Sequence, residues 1–349
     1  MPWIERRSEP SMNAELIKRM VRSYKAQDHE AFVGAVRKLA HAERRQGHKR
    51  VAEELERMLS NGLSTGRPTN AASTVERAPR SKSEGATMID VRRSSRTLDD
   101  IVLEPECGQR LSRFLEEFSH RSLLAEHGLP PKRKLLFFGP PGNGKTMCAE
   151  VIAGELDLPL FYVRFDALVA SYLGETAANL RQVFDYAAKG LGVLFFDEVD
   201  AIAKSRDDRS DVGELKRVVN SFLQLLDGYM GESPVIAATN HEDVLDYAIW
   251  RRFDDLLFFP AATPEGLLKL LTVRLAAFTP KDFAPSDAAQ WCEGMSFADV
   301  SKVVTDAIKT MVLGRKSALT AATLQQAIEQ HCLAATHRPG RENSRQGDD

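Results

Sequence analysis

The sequence has few cysteines, and none of them lies close to another. The four cysteines of the 349-residue chain are Cys107, Cys148, Cys292 and Cys332, and no two form a C-x-x-C pair. This spacing fits neither a zinc knuckle nor a framework of disulfide bonds. The cysteine pattern therefore argues against a disulfide-stapled protein and favours a reducing compartment, the cytoplasm.

Long apolar runs and a strong net charge are also lacking. The first ten residues, M-P-W-I-E-R-R-S-E-P, hold no apolar run, and no later stretch approaches the roughly 20 apolar residues that cross a bilayer. We therefore expect no membrane association. The net charge of −2 argues against a protein that holds nucleic acid mainly through bulk charge, although local basic patches stay open.

The composition and the hydrophobic pattern divide the chain into five segments. Residues 1–62 predict a small all-α N-terminal domain of three amphipathic helices, and residues 63–96, rich in Ser, Thr, Pro, Gly and Arg, predict a flexible linker. Short apolar runs alternate with helical patterns over 97–264, which predicts an α/β domain of three layers (α/β/α) around a parallel sheet. Residues 265–336 predict a separate helical subdomain, and 337–349 a disordered tail. The five predicted strands are Leu135–Phe138, Leu160–Phe165, Val193–Phe196, Val235–Ala238 and Leu256–Phe259.

The strongest motif is G-P-P-G-N-G-K-T, which follows the apolar strand L-L-F-F directly and precedes a helix. Glycines allow consecutive backbone N–H groups to point at phosphate oxygens, and the helix N-terminus adds partial positive charge. Lys145 can reach the β- and γ-phosphates of a nucleotide, and the Thr146 hydroxyl can hold Mg²⁺. The alternative is a chance glycine-rich turn, but the full strand, loop and helix context favours a phosphate loop. The residues that we assign to ATP here are Pro141, Gly142, Asn143, Gly144, Lys145, Thr146 and Met147.

Polar side chains also follow two other predicted strands. In V-L-F-F-D-E-V-D, Asp197 and Glu198 directly follow four apolar residues that form a predicted strand. They therefore lie at the carboxyl end of that strand, where open α/β sheets bind ligands. Asp197 can orient Mg²⁺, and Glu198 can accept a proton from the water that attacks the γ-phosphate. The strand I-A-A-T-N ends in Asn240, which is suited to positioning that water but by itself also suits an ordinary turn.

Two adjacent arginines, Arg251 and Arg252, precede the last predicted strand in I-W-R-R-F-D. An arginine at such a place can stabilise charge on a transferring phosphoryl group. Because Lys145 already serves the site within the chain, these arginines are better suited to reaching the nucleotide of a neighbouring subunit. The alternative is a surface salt-bridge pair, which would be the better interpretation for an isolated arginine pair.

Taken in this order, the motifs resemble the AAA+ superfamily of ATPases, and in particular its AAA clade of protein unfoldases and remodellers. The resemblance covers about residues 97–335. It implies a five-strand sheet of order 5-1-4-3-2, a C-terminal helical lid, and Mg-ATP bound between adjacent subunits of a ring, usually a hexamer. It also implies that Asn240 is the sensor 1 residue and that Arg251 and Arg252 act in trans as arginine fingers.

The sequence departs from this family in two places. The two arginines are adjacent, whereas many relatives have a Pro-Gly-type spacer, so the sequence does not decide which one is the finger. In the lid, G-M-S-F-A-D-V resembles the stretch that packs near adenine, but Phe297 stands where a small residue is usual and no arginine follows for a sensor 2 role. By resemblance, we carry over Ala298 to the adenine pocket, with an opposite wall made of Asp100, Ile101 and Val102.

The stretch Tyr172-Leu173-Gly174 lies between a predicted strand and the predicted helix that starts near Thr176. A tyrosine here can simply fold back onto the helix. The resemblance implies a second interpretation, in which this loop projects into the channel of the ring and an aromatic residue grips a polypeptide. Aromatic rings offer large apolar contacts that need no particular substrate sequence, and a glycine lets the loop move.

These observations favour an ATP-hydrolysing ring that threads protein substrates. The N-terminal helices would recruit a substrate or partner, or serve only oligomerisation or solubility, and the sequence does not decide between these roles. A nucleic-acid motor would call for basic pore elements rather than Tyr-Leu-Gly. A nucleotide-gated switch or adaptor stays open, although Glu198, Asn240 and the arginines argue against it. No H-E-x-x-H and no convincing nucleophile elbow occurs, so any proteolysis needs a separate chain. Some bacterial ATPases with a similar short helical N-terminal part accompany a subtilisin-like peptidase, and the resemblance thus suggests such a partner.

Overall fold

The computed structural model describes residues 20, 29–45, 51, 78–79, 87–164, 168, 175–200, 212–242, 247–276, 278 and 282–336. The chain forms two compact units, Met1–Thr74 and Val75–Asp349. The boundary between the units falls inside the predicted linker, 63–96. The predicted tail, 337–349, and the tripeptide Tyr172-Leu173-Gly174 lie outside the described residues.

The first unit contains one described helix, α1 (His29–Arg45). Its inner face carries Ala35, Val36, Ala40 and Ala42, which are all buried. Their spacing follows the helical period, so these apolar residues share one side of the helix. Helix α1 coincides with the second of the three predicted N-terminal helices. The other two predicted helices fall largely outside the described residues.

The second unit alternates strands and helices over its first part, and the described residues after β6 form helices without further strands. None of the helices among the described residues is both long and apolar enough to cross a membrane. The strands are β1 (Ile89–Arg92), β2 (Lys134–Phe138), β3 (Leu160–Val163), β4 (Val193–Phe196), β5 (Val235–Thr239) and β6 (Asp255–Phe258). The helices are α2 (Pro105–Ser119), α3 (Arg121–Glu126), α4 (Lys145–Glu155), α5 (Thr176–Lys189), α6 (Val212–Asp227), α7 (Tyr247–Trp250), α8 (Pro264–Leu275), α9 (Pro285–Trp291), α10 (Phe297–Leu313) and α11 (Ala321–Thr336).

The six strands form one sheet in the order β1-β3-β4-β5-β2-β6. Strands β2 to β6 are parallel to one another, and only β1 runs antiparallel, against β3. Counted from β2, the five parallel strands have the order 5-1-4-3-2, as the resemblance implied. The carboxyl ends of β2, β4 and β5 therefore meet at one edge of the sheet, where polar side chains follow each strand.

Strand β1 corrects the sequence analysis, which predicts a linker over these residues and a sheet of only five strands. Its register pairs Ile89 with Val163 and Arg92 with Leu160. Within the strand, Ile89 is buried but the other three residues are exposed. A strand with one buried residue shows neither an apolar run nor an alternation of apolar and polar residues, so it is not predictable from the hydrophobic pattern. It forms through backbone pairing with β3.

The sheet is covered on both faces. Successive residues of β2 point to opposite sides, so Leu136 joins a core with α5 and α6, whereas Leu135 and Phe137 join a second core with α2 and α4. In β4, all four residues of V-L-F-F are completely buried. The two cores explain why the parallel strands are continuous apolar runs, and they confirm the prediction of a three-layer α/β/α arrangement.

Helices α8 to α11 build a third, separate core. Thr263 caps α8: its Oγ1 accepts a hydrogen bond from Gly266 N at 3.1 Å, and Pro264 takes the first helical position. The same hydroxyl donates to Glu104 Oε1 at 2.8 Å and so ties the start of the helical part to the α/β part. Ser296 caps α10 in the same way by accepting from Asp299 N at 3.2 Å.

An ion-pair network at the start of β6 gives a prediction about stability. Asp255 is only 6% exposed and accepts hydrogen bonds from Lys132 Nζ at 2.5 Å and Arg110 Nη1 at 2.8 Å. Burial raises the pKa of Asp255, but the two cations outweigh it and hold the pKa below its ordinary value. We expect Asp255→Asn to lower the free energy of unfolding at pH 7 by about 2 kcal/mol, as for hydrogen bonds to charged groups.

The pH dependence of this loss follows from the sign of the shift. A carboxylate with a depressed folded pKa stabilises the fold above its unfolded pKa, and this contribution is lost as the pH falls through the folded pKa. Urea unfolding at several pH values should therefore show the two proteins converging below about pH 4. Asp306→Asn, which removes an exposed pair with Lys309, is the control and should change stability by less than about 0.5 kcal/mol. A difference that is constant with pH would contradict the account.

Candidate nucleotide-binding site

The loop between β2 and α4 is held in a conformation that requires glycine. Gly139, Gly142 and Gly144 have φ values of 127°, 80° and 99°, in the region that other residues rarely adopt. A Cβ on Gly139 would lie 2.2 Å from the carbonyl oxygen of Phe259. Gly144 is the N-cap of α4, so the first N–H groups of this helix open towards the loop.

Lys145 begins α4 and folds its side chain back over the loop. Its Nζ donates hydrogen bonds to the carbonyl oxygens of Gly139, at 2.6 Å, and of Pro140, at 2.9 Å. Burial lowers the pKa of Lys145, while the carboxylates of Asp197 and Asp200 act in the opposite direction. The ammonium group is thus held inside the curve of the loop, where phosphate oxygens would compete with the two carbonyls.

Thr146 and Asp197 meet at the carboxyl edge of the sheet. The Thr146 hydroxyl donates to Asp197 Oδ2 at 2.8 Å, and Tyr162 Oη donates to the same oxygen at 3.3 Å. The backbone N–H of Glu198 donates to Asp197 Oδ1 at 3.1 Å. Burial, followed by the charge of Asp197, raises the pKa of Tyr162 to about 12, so the phenol keeps its proton at neutral pH.

Glu198 is exposed and has a φ of 52°, which is uncommon for a residue other than glycine. Such backbone strain of roughly 1 to 2 kcal/mol is found mostly where function requires it. Next to it, Asp200 is only 3% exposed and accepts hydrogen bonds from Thr239 Oγ1 at 3.1 Å and from Asn240 N at 3.4 Å. Asp200, which the sequence analysis left without a role, therefore fixes Asn240 relative to Glu198.

These groups surround a cavity of about 410 Å³ between the phosphate loop and the lid helices. All eleven residues assigned to ATP from the sequence line it, together with Asp197, Glu198 and Asn240. Four further residues line the cavity and were not predicted from the sequence to do so, namely Leu270, Arg274, Phe297 and Ser301. Leu270 and Arg274 lie four residues apart on α8 and thus on the same face of that helix. The lid therefore does bring an arginine to the cavity. This arginine comes from a helix that precedes the G-M-S-F-A-D-V stretch, where the family pattern would place one.

The lid and the phosphate loop are in direct contact. The N–H of Ala298 donates to the carbonyl oxygen of Gly142 at 3.0 Å. Phe297, the departure from the family pattern, is accommodated because Gly266 has no side chain: a Cβ there would lie 2.8 Å from the Phe297 ring. On the opposite side, Asp100 Oδ2 accepts from Thr97 N at 2.8 Å and so fixes the turn that carries Ile101 and Val102.

The residues present fit Mg-ATP. Gly142 has no side chain and so lets the lid approach the phosphate loop closely, and a buried ammonium and a helix N-terminus face the same loop. The hydroxyl of Thr146 and the carboxylate of Asp197 are oxygen ligands of the kind that Mg²⁺ prefers. Apolar side chains from both walls, such as Ile101 and Leu270, suit a planar base.

The close approach of Gly142 to the lid gives a second prediction. A Cβ on Gly142 would lie 2.5 Å from the Oγ of Ser296, the N-cap residue of α10. An alanine at this position would also have to adopt a φ of 80°. Gly142→Ala should therefore weaken ATP binding at least tenfold and lower stability by about 1 to 3 kcal/mol, the cost of overpacking. Equilibrium binding of a fluorescent ATP analogue measures the first effect and urea unfolding the second.

Gly294→Ala is the matched control, because Gly294 has nearly the same φ of 79° but nothing within 4 Å of the added Cβ. It should cost about 1 kcal/mol of stability through backbone strain alone and leave ATP affinity within twofold. Equal losses of ATP affinity in the two variants would show that strain, rather than the contact with the lid, limits binding.

Arg251 and Arg252 are not among the residues that line the cavity. They follow α7 directly and differ in exposure: Arg251 is exposed, whereas Arg252 is partly buried. Arg252 forms an ion pair with Asp227 at the end of α6. The structure thus separates the two arginines that the sequence analysis treated as equivalent.

Comparison with known proteins agrees with this site. The model of the ATPase family associated with various cellular activities (AAA) matches residues 135–261. The uncharacterized AAA family ATPase y4kL of Sinorhizobium fredii is 36% identical over 315 residues, which cover 90% of this chain and 94% of that protein. A proteasome-activating nucleotidase of Pyrococcus abyssi is 32% identical over 290 residues, or 80% of this chain and 73% of that protein. Protein SAV of Sulfolobus acidocaldarius is 35% identical over 191 residues, or 53% of this chain and 24% of that protein.

The similarity extends well beyond the phosphate loop. The matched range, 135–261, contains β3 to β6 and all but the first residue of β2, with Lys145, Asp197, Glu198 and Asn240. The alignment with the Sinorhizobium protein spans 90% of this chain and 94% of that protein. The chain is therefore a member of the AAA family of ATPases, and its reaction is the hydrolysis of ATP.

Proposed function

We propose that this ATPase assembles into a ring, a hexamer, in which ATP hydrolysis drives the unfolding or remodelling of protein substrates. One observation carries the proposal: the cavity collects the binding and water-activating groups of one chain but neither Arg251 nor Arg252. A site that needs an arginine finger is then completed only by a neighbouring subunit. Repeated head-to-tail contacts of this kind close into a ring.

In this proposal, the residues of one subunit bind ATP and activate water. Lys145 and the N–H groups of the phosphate loop bind the phosphates, while Thr146 and Asp197 would hold Mg²⁺, which when bound neutralises negative charge on the phosphate oxygens. Glu198 accepts a proton from the attacking water, and Asn240, fixed by Asp200, orients that water. The products are ADP and phosphate.

The neighbouring subunit supplies the remaining positive charge. We assign this role to Arg251, because its side chain is exposed, whereas that of Arg252 is partly buried. The guanidinium group of Arg251 would stabilise charge that develops on the transferring phosphoryl group. On the near side, Arg274 from the lid faces the cavity and contributes a second cation that can respond to the nucleotide.

The substrate side of the proposal rests on Tyr172, Leu173 and Gly174, which lie outside the described residues. These residues lie between β3 and α5, two elements of the ATPase unit, and their sequence suits a loop that grips a polypeptide. The relatives named proteasome-activating nucleotidase support a role in acting on proteins. The N-terminal unit, with α1, would recruit the substrate or a partner.

The substitution Tyr172→Ala tests this assignment. With a fluorescent protein carrying an unstructured extension as the probe, we expect ATP-dependent loss of fluorescence to slow at least tenfold, because the apolar grip is removed. ATP hydrolysis without the probe should stay within threefold of the unchanged protein. Tyr172→Phe, which keeps the ring, should retain the unfolding rate. If Tyr172→Ala unfolds the probe as fast as the unchanged protein, the threading proposal is wrong.

A regulatory role towards a separate peptidase is the second candidate function. It is favoured by the similarity to proteasome-activating nucleotidases, one of which aligns with 80% of this chain. The partner would be a separate peptidase chain, of which a subtilisin-like peptidase is one type. Peptidase activity of such a partner that rises only in the presence of this chain and ATP would support it.

A further inference from the structure

Asp197, the carboxylate proposed for Mg²⁺, is held by three hydrogen-bond donors from different elements. One oxygen accepts from Thr146 at 2.8 Å and from Tyr162 at 3.3 Å, and the other accepts from the Glu198 backbone at 3.1 Å. Thr146 and Glu198 belong to motifs that the function already uses. Tyr162 belongs to none of them and reaches the carboxylate from β3, an adjacent strand.

The Tyr162 side chain is itself held in place. Its ring lies 5.6 Å from the ring of Phe195 on β4. The guanidinium carbon of Arg92, on the edge strand β1, lies 4.0 Å from the centre of the same ring, a cation–π contact. Arg92 Nε in turn donates to Asp90 Oδ2 at 2.7 Å, and Asp90 is the register partner of Tyr162.

These contacts form a continuous path from the edge of the sheet to the nucleotide cavity. Arg92 contacts the ring, the ring carries the hydroxyl, and the hydroxyl donates to Asp197. A hydrogen bond to a carboxylate restricts its rotation, and ligands of a metal are commonly oriented in this way by partners that do not touch the metal. Strand β1 thus has a role beyond pairing: it places a cation on the residue that orients Asp197.

We propose that Tyr162 is a positioning residue that orients the Asp197 carboxylate for Mg-ATP, and that Arg92 holds the Tyr162 ring in the orientation this requires. The inference rests on the proposed assignment of Asp197 to Mg²⁺. It predicts that Tyr162 affects the part of ATP affinity that depends on Mg²⁺ and leaves the remainder unchanged. A tyrosine that only fills space would affect both parts equally.

The test uses the full chain with Glu198→Gln, so that bound ATP is retained, and measures the dissociation constant of a fluorescent ATP analogue in excess Mg²⁺ and in EDTA. The ratio of the two constants is the gain in affinity from Mg²⁺. Adding Tyr162→Phe should reduce this ratio about tenfold, the factor expected at the lower end for one hydrogen bond to a charged group, with the constant in EDTA unchanged. Adding Arg92→Ala should reduce the ratio about twofold, as expected for an exposed cation–π contact.

The variants should also be non-additive. If Arg92 acts through the Tyr162 hydroxyl, then Arg92→Ala in the Tyr162→Phe protein causes no further change in the ratio. Arg93→Ala is the matched control, since Arg93 is the exposed neighbour of Arg92 at the end of β1, and it should leave both constants unchanged. Full additivity of the two variants would remove Arg92 from the proposal.

Asp197→Asn separates this inference from the function on which it rests. If Asp197→Asn abolishes the gain from Mg²⁺ while Tyr162→Phe keeps the full gain, the inference is overturned and the metal assignment stands. If Asp197→Asn keeps the gain, the metal assignment itself is wrong. A loss of affinity in Tyr162→Phe that is equal in Mg²⁺ and in EDTA would reveal a purely structural tyrosine and would also overturn the inference.

Discussion

Replacing Glu198 with glutamine is expected to slow ATP hydrolysis by a factor of about 10² to 10⁴, the usual contribution of a positioned general base. The amide has the same shape as the carboxylate but does not accept a proton from water. The backbone at φ 52° is equally strained with either side chain, so the fold should be unaffected. Steady-state phosphate release measures the rate, and binding of a fluorescent ATP analogue should show an affinity within threefold of the unchanged protein.

The control for this variant is Glu242→Gln. Glu242 is an exposed glutamate close after β5 and is not among the residues that line the cavity. We expect its rate of hydrolysis to equal that of the unchanged protein. A Glu198→Gln protein that keeps more than a tenth of the rate would mean that another group accepts the proton, and the assignment of Glu198 would fail.

The second large effect is expected at the boundary between subunits. Arg251→Ala should reduce ATP hydrolysis by about 10³-fold or more, the range found for arginine fingers. Arg252→Ala removes an ion pair with Asp227 that is partly exposed, so it should cost less than about 1 kcal/mol of stability and reduce hydrolysis less than tenfold. This difference between adjacent arginines follows from their different environments.

Mixing experiments show whether Arg251 acts in trans. Chains with Lys145→Ala bind no ATP but carry Arg251, and chains with Arg251→Ala bind ATP but carry no finger. Each protein alone should be inactive, whereas mixed assemblies should recover a measurable fraction of the rate at interfaces that combine an intact site with an intact Arg251. A mixture as inactive as its parts, together with a large effect of Arg252→Ala, would transfer the role to Arg252.

The sequence was most informative where a motif depends on the local backbone. The phosphate loop needs its glycines because three of its residues have positive φ angles. All three glycines lie within the eight consecutive residues of the motif G-P-P-G-N-G-K-T, so the motif can be recognised from the sequence alone. The polar residues after β4 and β5 were also predictable, because the carboxyl ends of neighbouring parallel strands meet at one edge. The structure accordingly gathers Lys145, Glu198 and Asn240 around a single cavity.

The features that were missed depend on contacts between distant parts of the chain. Strand β1 has a single buried residue and is stabilised by pairing with β3, about seventy residues away in sequence. Arg274 reaches the cavity only because α8 packs in the lid with one face towards the phosphate loop. Tyr162 reads as one residue of an apolar strand, and nothing in the pattern reveals that its hydroxyl meets Asp197.

The measurement that tests the central claim most directly is the native mass of the Glu198→Gln protein with Mg-ATP and without nucleotide. Because this variant should keep ATP bound, it should lock the assembly that ATP favours. We expect a closed ring about six times the 38.8 kDa mass of the chain with Mg-ATP, and smaller species without it. A mass of one chain under both conditions would mean that Arg251 contacts no nucleotide of a neighbouring subunit, and it would contradict the proposed ring.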